Sequence, residues 1–449
     1  MKQRLRKLQN CYILSIIVFS AFSTVVFANT SQYRRNTITP YIESAIADDY
    51  ILLRSNIENL LSDPVIGVPF FDLRRLDVYE GLPVNMIEWK PNPRADVPVL
   101  FHWNKEKETY EVEVDNMNQF VTFLQKNKLR VQIHLPGGFR CDDGDFLKLD
   151  AWNIEDHGKL LELFSFFERI REEYALADEL IVTMHPPEFY DFTRVKKYFG
   201  LDPSIEEEHL MLTSERNKVK EKALQNMHAF LVLLGNEIEK KKWNIKVGIE
   251  NLAYSVKGQW KTGNKIEDFE VLLRDTSDAI QITFDAGHSM LSRGDDYSFV
   301  FYDILKFTKK NGKYIVNYHF HENDGFPKNS TFDTRSHTAD LHRMPMNKMV
   351  PGYRKYHLRR CAFEGASGMF ELNLTKYDET SIRTLKNVLM ETLAKIKQYR
   401  NNYLRLIRNQ EVLAENGMFP LVESSFVPQN NLFPDEIKSE ECKQSLRSA

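Results

Sequence analysis

Between Val84 and Leu374 the sequence alternates apolar segments of strand length with amphipathic segments of helical spacing. The runs V-Q-I-H, I-V-T-M-H, I-K-V-G-I-E and I-Q-I-T-F-D are typical of strands, and apolar residues at helical spacing precede each of them. Met117, Phe120 and Leu124, for example, share one helix face before V-Q-I-H. Such a repeat favours folds in which helices connect parallel strands.

The length and order of this repeat predict an α/β fold, a closed parallel (β/α)8 TIM barrel with an N-terminal export segment and a C-terminal helical extension. A doubly wound open sheet is the alternative. No glycine-rich phosphate-binding turn follows the first expected strand, N-M-I-E-W-K, which counts against the open sheet. The seventh strand is in doubt, because no strand-like segment leads into Asp340.

Four basic residues near the amino end are followed by an apolar run from Cys11 to Phe27. With V-F-A as a cleavage site, residues 1–28 are typical of a signal peptide. An uncleaved membrane anchor is the alternative, because the run is near the lower length limit for a membrane span. In either case we expect the body to be exported, as a periplasmic or secreted protein or as one held at a membrane.

The rest of the chain is expected to have three parts. Apolar spacing around Ile42–Leu61 predicts a helix before the barrel, and the spacing over Ile382–Ile396 predicts a last helix that extends beyond it. Polar sequence after that helix is typical of disorder. The parts are a linker with a helix at 29–83, the barrel with its extended last helix at 84–415, and a tail at 416–449.

Charge and cysteine content exclude some classes of protein. The formal net charge is −3, so the chain has no general attraction to nucleic acid, and membrane contact is expected only through the N-terminal segment. The four cysteines, Cys11, Cys141, Cys361 and Cys442, are too few for a disulfide framework. A single bridge between Cys141 and Cys361 is the one alternative left open.

Most of the expected strands end on a side chain that can bind a metal. A lone strand-end Asp is more often a helix cap, and a lone His is more often a hydrogen-bonded surface group. An ordered series is different, because the carboxyl ends of parallel barrel strands meet at one mouth. The series comprises His134, His185, Glu250, Asp285, His288, His321, Asp340, His342 and Glu371.

These four carboxylates and five imidazoles would need cations if they converged, because the carboxylates would otherwise repel one another. Two or three divalent ions would neutralise them. Nitrogen and oxygen ligands without cysteine suit zinc best and manganese as well. A cluster of this kind predicts hydrolysis of a phosphoester or phosphodiester, since one ion can hold a hydroxide while others stabilise the leaving oxygen.

Several short motifs resemble the endonuclease IV family, within the wider class of xylose isomerase-like TIM barrels. H-P-P at His185 is similar to the family's His-Pro-Gly, and E-N-L-A at Glu250 is similar to its Glu-Asn-x-Ala. D-A-G-H at Asp285 resembles its Asp-x-x-His. His134 matches the family's early His, and the series continues through H-E-N-D at His321, D-L-H at Asp340 and the final Glu371.

The resemblance implies a three-zinc centre that cleaves DNA at abasic sites. By that resemblance His134, His185 and Glu250 hold one ion, and the other six residues hold the remaining ions. Glu371 would also help to position the attacking hydroxide. Two features depart from the family: the stretch R-M-P-M-N-K-M-V-P-G replaces its glycine-rich segment, and the acidic chain lacks a basic and aromatic surface for nucleic acid. The residues expected in catalysis are Glu371, Glu250, Asp285 and His321.

Two other functions stay open. A sugar or sugar-phosphate isomerase or epimerase would use Glu250, Asp285, His321 and Glu371 around one or two ions, with the other ligands in surplus. An exported binding module without turnover is the third possibility, although no ligand of the series is lost. A small-molecule phosphoester or sugar is therefore the expected partner.

A few neighbouring residues are expected to assist. His319 lies two residues before His321 on the same strand face, so we expect it one layer deeper, as a hydrogen-bond partner rather than a ligand. Asn251 and Asp324 adjoin ligands and are expected to orient them. The basic residues of the mouth loops, which would either meet a phosphate or lie in solvent, are Arg140, Lys196 and Lys197.

Overall fold

The computed structural model describes residues 60–415, apart from 92–95, 207–213, 254–259, 290, 292–303, 305–306, 309, 324–341, 345–352, 373 and 375–376. The proposed export segment, most of the predicted linker and helix at 29–83, the tail, Asp324 and Asp340 lie outside the described residues. Everything described belongs to one compact unit.

Eight parallel strands close into a barrel, which confirms the predicted fold class. Around the ring the order is β1, β14, β13, β12, β10, β8, β5 and β2, with elements numbered along the chain. These barrel strands are β1 Ile66–Phe70, β2 Met86–Trp89, β5 Arg130–His134, β8 Leu180–Met184, β10 Ile245–Glu250, β12 Ile280–Asp285, β13 Ile315–His319 and β14 Ser367–Met369.

Helices and short strand pairs surround the barrel. The helices are α1 Val114–Asn127, α2 His157–Glu173, α3 Phe192–Phe199, α4 Ser214–Lys241, α5 Ile266–Leu272, α6 Ala286–Ser289, α7 Tyr353–Glu364 and α8 Glu379–Glu415, with 3-10 turns at Leu73–Tyr79 and Ile154–Asp156. The antiparallel pairs are β3 Phe101–Asn104 with β4 Thr109–Val112, β6 Gly138–Arg140 with β7 Phe146–Lys148, and β9 Glu188–Phe189 with β11 Trp260–Lys261.

The barrel begins at Ile66, not near Val84 as the sequence suggested. Strand β1 pairs with β2 on one side and with β14 on the other, so it closes the ring. Pro69 lies inside this strand, although proline cannot donate a hydrogen bond to a ladder. Its neighbour β14 pairs only as far as Gly67, so no hydrogen-bond donor is needed at Pro69. With β1 counted, the described residues supply all eight strands of the ring.

The polar faces of the strands point into the barrel. Thr183 on β8 and Thr283 on β12 approach to 3.1 Å between their hydroxyl oxygens, although β10 lies between these two strands in the ring. Gly248 on β10 leaves the space for this contact, because a Cβ there would collide with Thr283. Apolar residues such as Ile282 and Phe284 alternate with the polar ones and are fully buried. Asp285 is thereby placed on the interior face.

The antiparallel pair β3 and β4 forms a hairpin before α1. The polar loop after His185 carries β9 and α3, which pack on a small separate core around Trp152 and Trp260. The long helix α8 forms the C-terminal extension of the barrel. Cys141 and Cys361 are buried and not bridged to each other. None of the helices between residues 60 and 415, as far as these are described, is both long and apolar enough to cross a membrane.

Candidate metal centre

Seven of the eight barrel strands bring an ionisable side chain to the same mouth of the barrel. Eight of the nine ligands expected from sequence lie among the described residues, and each of these eight contacts at least one other member of the set. The side chains and their strands are Glu88 and Lys90 at β2, His134 at β5, His185 after β8, Glu250 at β10, Asp285 at β12, His319 at β13 and Glu371 after β14.

Glu250, Asp285, His319 and Glu371 form a four-ligand group, in which one ligand atom from each residue lies within 4.8 Å of the others. Nδ1 of His319 is 3.2 Å from Oε2 of Glu371, 3.5 Å from Oε1 of Glu250 and 3.6 Å from Oδ2 of Asp285. Within the described part of the chain, these atoms of His319, Glu250 and Glu371 are buried without a hydrogen-bond partner. Buried polar atoms that face one point in this way fit a divalent ion with oxygen and nitrogen ligands.

A second carboxylate fixes the imidazole of His319 from behind. Oε1 of Glu88 lies 2.8 Å from Nε2 of His319 and also accepts a 2.9 Å hydrogen bond from Nε2 of Gln132. Both Glu88 and His319 are fully buried. A proton held on Nε2 by Glu88 leaves Nδ1 as the atom directed at the four-ligand group, the usual arrangement behind a metal-binding histidine.

The placement of His319 corrects the sequence interpretation. That interpretation ended the strand at His321 and set His319 one layer deeper, as a hydrogen-bond partner. In the structure β13 ends at His319, whose Nδ1 faces the four-ligand group, while His321 lies two residues beyond the strand, with its Nε2 2.9 Å from Asp285. Alternation would put both residues on one strand face, so spacing alone does not say which of them faces the four-ligand group.

Glu250 also joins a second group, which consists of His134, Glu250 and His319. Nε2 of His134 is 3.1 Å from Oε2 of Glu250, and Nε2 of His185 is 3.4 Å from the same oxygen. Glu188 lies behind His185, with 2.7 Å between its Oε2 and Nδ1 of the ring. His185 is therefore held between two carboxylates at the edge of the centre.

His288, His321 and His342 form a three-histidine group next to the four-ligand group. The rings of His321 and His342 stack with 4.1 Å between centroids. Nδ1 of His342 is 3.0 Å from the carbonyl oxygen of Glu371, and Nδ1 of His288 is 3.0 Å from that of Asn251. His342 has a φ of 45°, an uncommon left-handed conformation for a residue with a side chain.

Lys90 inserts a positive charge among these carboxylates. Its ammonium group contacts Oε1 of Glu371 and lies 3.6 Å from Oε2 of Glu88. The side chain is only 14% exposed, because it follows β2 directly and points toward the mouth. Lysine cannot serve as a metal ligand while it is protonated, so Lys90 balances charge in the centre without binding an ion itself.

Contacts between opposite charges set the pKa values of the centre. Burial alone would raise the pKa of Glu250, but His319 and His185 hold it well below its usual range. Lys90 likewise holds the pKa of Glu371 well below its usual range, although burial alone would raise it. Burial lowers the pKa of His319, yet the surrounding carboxylates raise it well above the ordinary value. The carboxylates are thus ionised and available to a cation at neutral pH.

The remaining sequence expectations can be placed as well. Asn251 orients Asp285, since its side chain donates to the carbonyl oxygen of Asp285 and accepts from the amide of the same residue, at 2.9 and 2.8 Å. Arg140 donates to the carbonyl oxygen of Val97. Lys196 donates to carbonyl oxygens of its own loop, and Lys197 is exposed. These contacts favour the interpretation of the two lysines as loop charges rather than phosphate ligands.

Sequence reasoning missed Glu88, Lys90 and Glu188. The segment M-I-E-W-K was identified as a strand, and its alternation places Glu88 and Lys90 on one face, which was the available signal. The search for metal ligands at strand ends passed over a lysine and over a carboxylate one layer below the end. Glu188 lies in a loop pair, where no periodicity marks it.

Comparison with known proteins finds similarity of shape alone. No protein-family model matches the chain, and no curated protein matches its sequence. Among solved structures, a D-tagatose 3-epimerase-like protein is 16% identical, with a TM-score of 0.44 over 78% of this chain and 99% of that chain. A sugar phosphate isomerase/epimerase from Parabacteroides distasonis is 10% identical, with a TM-score of 0.39 over 72% and 96%.

A D-psicose 3-epimerase from Clostridium cellulolyticum, solved with D-tagatose, is 8% identical, with a TM-score of 0.35 over 77% of this chain and 98% of that chain. These similarities concern the barrel fold, and at such identities and TM-scores they say nothing about the chemistry of this chain. The resemblance to endonuclease IV is not supported by them. The function is therefore inferred from the side chains of the centre.

Proposed function

We propose that this protein is a divalent-metal-dependent enzyme that isomerises or epimerises a small sugar or sugar phosphate. The observation that carries the proposal is the four-ligand group. Its members stand on four consecutive strands of the ring, with Glu250 and Glu371 at the two outer positions and Asp285 and His319 between them. His319 takes the place that the sequence gave to His321 in this function.

The chemistry requires a proton to leave the carbon beside a carbonyl group and a proton to return to the same or the neighbouring carbon. Two carboxylates on different sides of the substrate can divide these steps between them. Glu250 and Glu371 are suited to this, because they are three strand positions apart in a ring of eight. A bound divalent ion would polarise the carbonyl oxygen and fix the adjacent hydroxyl oxygen.

The depth of the centre supports a small substrate. Glu250, Asp285 and His319 are fully buried, and Glu371 is 6% exposed. A sugar of a few carbons can reach such a point between the strand ends more readily than a polymer backbone can. The imidazoles of His134, His185 and His288 adjoin the group and can hydrogen-bond sugar hydroxyls. Three histidines that the sequence interpretation left in surplus for this function thereby gain a role.

The test uses the full chain, freed of metal with a chelator and reloaded with Mn²⁺ or Zn²⁺. A panel of aldoses, ketoses and their phosphates is incubated in D₂O and followed by NMR. We expect metal-dependent interconversion of one pair, with deuterium entering at the carbon beside the carbonyl. The proposal would be overturned if the metal-loaded protein neither exchanged deuterium into any sugar of the panel nor converted any of them. Sugar binding without turnover would instead support a binding module.

A phosphoester hydrolase is the second candidate, because the three-histidine group and the group around His134 offer sites that a single-ion isomerase does not need. Elemental analysis separates the two functions. Two to three ions per chain, together with metal-dependent hydrolysis of bis(p-nitrophenyl) phosphate, would favour the hydrolase. One ion per chain without hydrolysis would exclude it.

Export also stays a proposal, supported by the basic and apolar pattern of residues 1–28. Mass spectrometry of the protein from its native host tests this directly. A mature amino end near residue 29 supports cleavage by a signal peptidase. An intact amino end in the membrane fraction supports an anchor, and an intact chain in the cytosol contradicts both.

A further inference from the structure

Lys90 occupies a position that a cation of the metal centre would favour. Its ammonium group contacts Oε1 of Glu371, while Oε2 of the same carboxylate faces Nδ1 of His319 at 3.2 Å. One oxygen of Glu371 is thus taken by lysine, and the other is directed at the four-ligand group.

Four residues close a ring of contacts around this point. Lys90 pairs with Glu371 and Glu88, and both carboxylates contact His319, Glu88 at Nε2 and Glu371 at Nδ1. Glu88 is fully buried and Glu371 nearly so. Burying a carboxylate without a partner is strongly unfavourable, so the positive charge of Lys90 stabilises the ring whenever no metal is bound.

We propose that Lys90 is a resident cation of the centre, which stabilises the metal-free protein and weakens the binding of the divalent ion to the four-ligand group. This inference rests on the metal site of the proposed function. A fixed ammonium group and a divalent ion that share the carboxylate of Glu371 repel each other, and in a buried site this repulsion is poorly screened. Lys90 therefore holds the affinity for metal below what the carboxylates alone would give.

The experiment compares the full-length wild-type chain with Lys90→Met, both freed of metal, by calorimetric titration with Mn²⁺ and by thermal unfolding. We expect Lys90→Met to bind Mn²⁺ roughly tenfold more tightly or better, because the repulsion is removed. Without metal it should unfold at a lower temperature than wild type, and Mn²⁺ should raise its unfolding temperature by more. Lys90→Gln, which keeps a hydrogen-bond donor without the charge, should change in the same direction and serves if the methionine variant does not fold.

Lys220→Met is the matched control. Lys220 pairs with the buried carboxylate of Asp268 at 2.6 Å, outside the centre. Its loss should lower stability without changing the affinity for Mn²⁺. Equal or weaker Mn²⁺ binding by both Lys90 variants would overturn the inference and leave Lys90 a structural partner of Glu371. A wild-type chain that binds neither Mn²⁺ nor Zn²⁺ would instead refute the proposed metal centre itself.

Discussion

Glu88 and His319 form a buried pair, with 2.8 Å between Oε1 of the carboxylate and Nε2 of the imidazole. The pair joins two strands, β2 and β13, that are not neighbours in the barrel ring. Burial alone would raise the pKa of Glu88, but the nearby His319 lowers it to about 2. The carboxylate therefore stays ionised and holds the ring of His319 with Nδ1 toward the four-ligand group.

Glu88→Gln is expected to weaken metal binding by roughly 10- to 100-fold, the usual effect of losing the carboxylate behind a metal-binding histidine. The measurement is titration of the metal-free protein with Mn²⁺. Glu168→Gln is the control, since Glu168 is also buried but pairs with Arg171 away from the mouth. If the two variants lose equal affinity, Glu88 does not orient His319.

Glu371→Gln should leave the fold intact and reduce turnover by about a thousandfold, because a neutral amide can neither take nor return a proton. Circular dichroism checks the fold, and the sugar assay in D₂O checks turnover. Glu80→Gln, at a half-exposed surface position, is the control and should be fully active. Near-normal turnover by the Glu371 variant would remove Glu371 from catalysis.

Gly287→Ala should displace His321 and destabilise the protein by about 1–3 kcal/mol, the usual cost of forcing extra volume into a packed site. A Cβ at Gly287 would collide with the imidazole ring of His321. Chemical denaturation measures the stability, and elemental analysis measures the ions retained. Gly137→Ala is the matched control, because a Cβ at Gly137 meets nothing within 4 Å. Equal stability of the two variants would show that the turn can move aside.

His357→Leu should reduce the acid sensitivity of the fold. His357 is buried and stacks on Phe284, and burial lowers its pKa to about 3. Between about pH 3 and 6.5, His357 is protonated in the unfolded chain but neutral in the folded chain. This residue therefore lowers the stability of the fold as the pH falls through that window. Above it, His357 contributes no pH dependence.

Urea denaturation at pH 7 and pH 4.5 tests this prediction. Between pH 7 and pH 4.5, the free energy of unfolding of the leucine variant should rise by about 2–3 kcal/mol relative to that of wild type. Any difference between the two proteins that is the same at both pH values reflects packing alone. A constant difference would therefore contradict a neutral buried histidine.

The number of strands shows what could not be predicted from the sequence. The helix and strand alternation predicted the barrel correctly, because burial on both faces gives parallel strands a strong apolar pattern. The strand I-G-V-P-F was missed, since five residues with a proline and a glycine carry too little periodicity. The strand that was missing from the prediction was then assigned to the wrong place, before Asp340 rather than before Val84.

The sequence by itself determined the barrel and the kinds of side chain at its mouth, because each strand end has its own local pattern. Only the tertiary structure decided which of them meet. It placed His319 among Glu250, Asp285 and Glu371, with His321 in contact with Asp285 beside them, and it brought Lys90 to Glu371 across 281 positions of sequence. Such contacts depend on ring closure and strand register, and no local pattern of residues encodes either one.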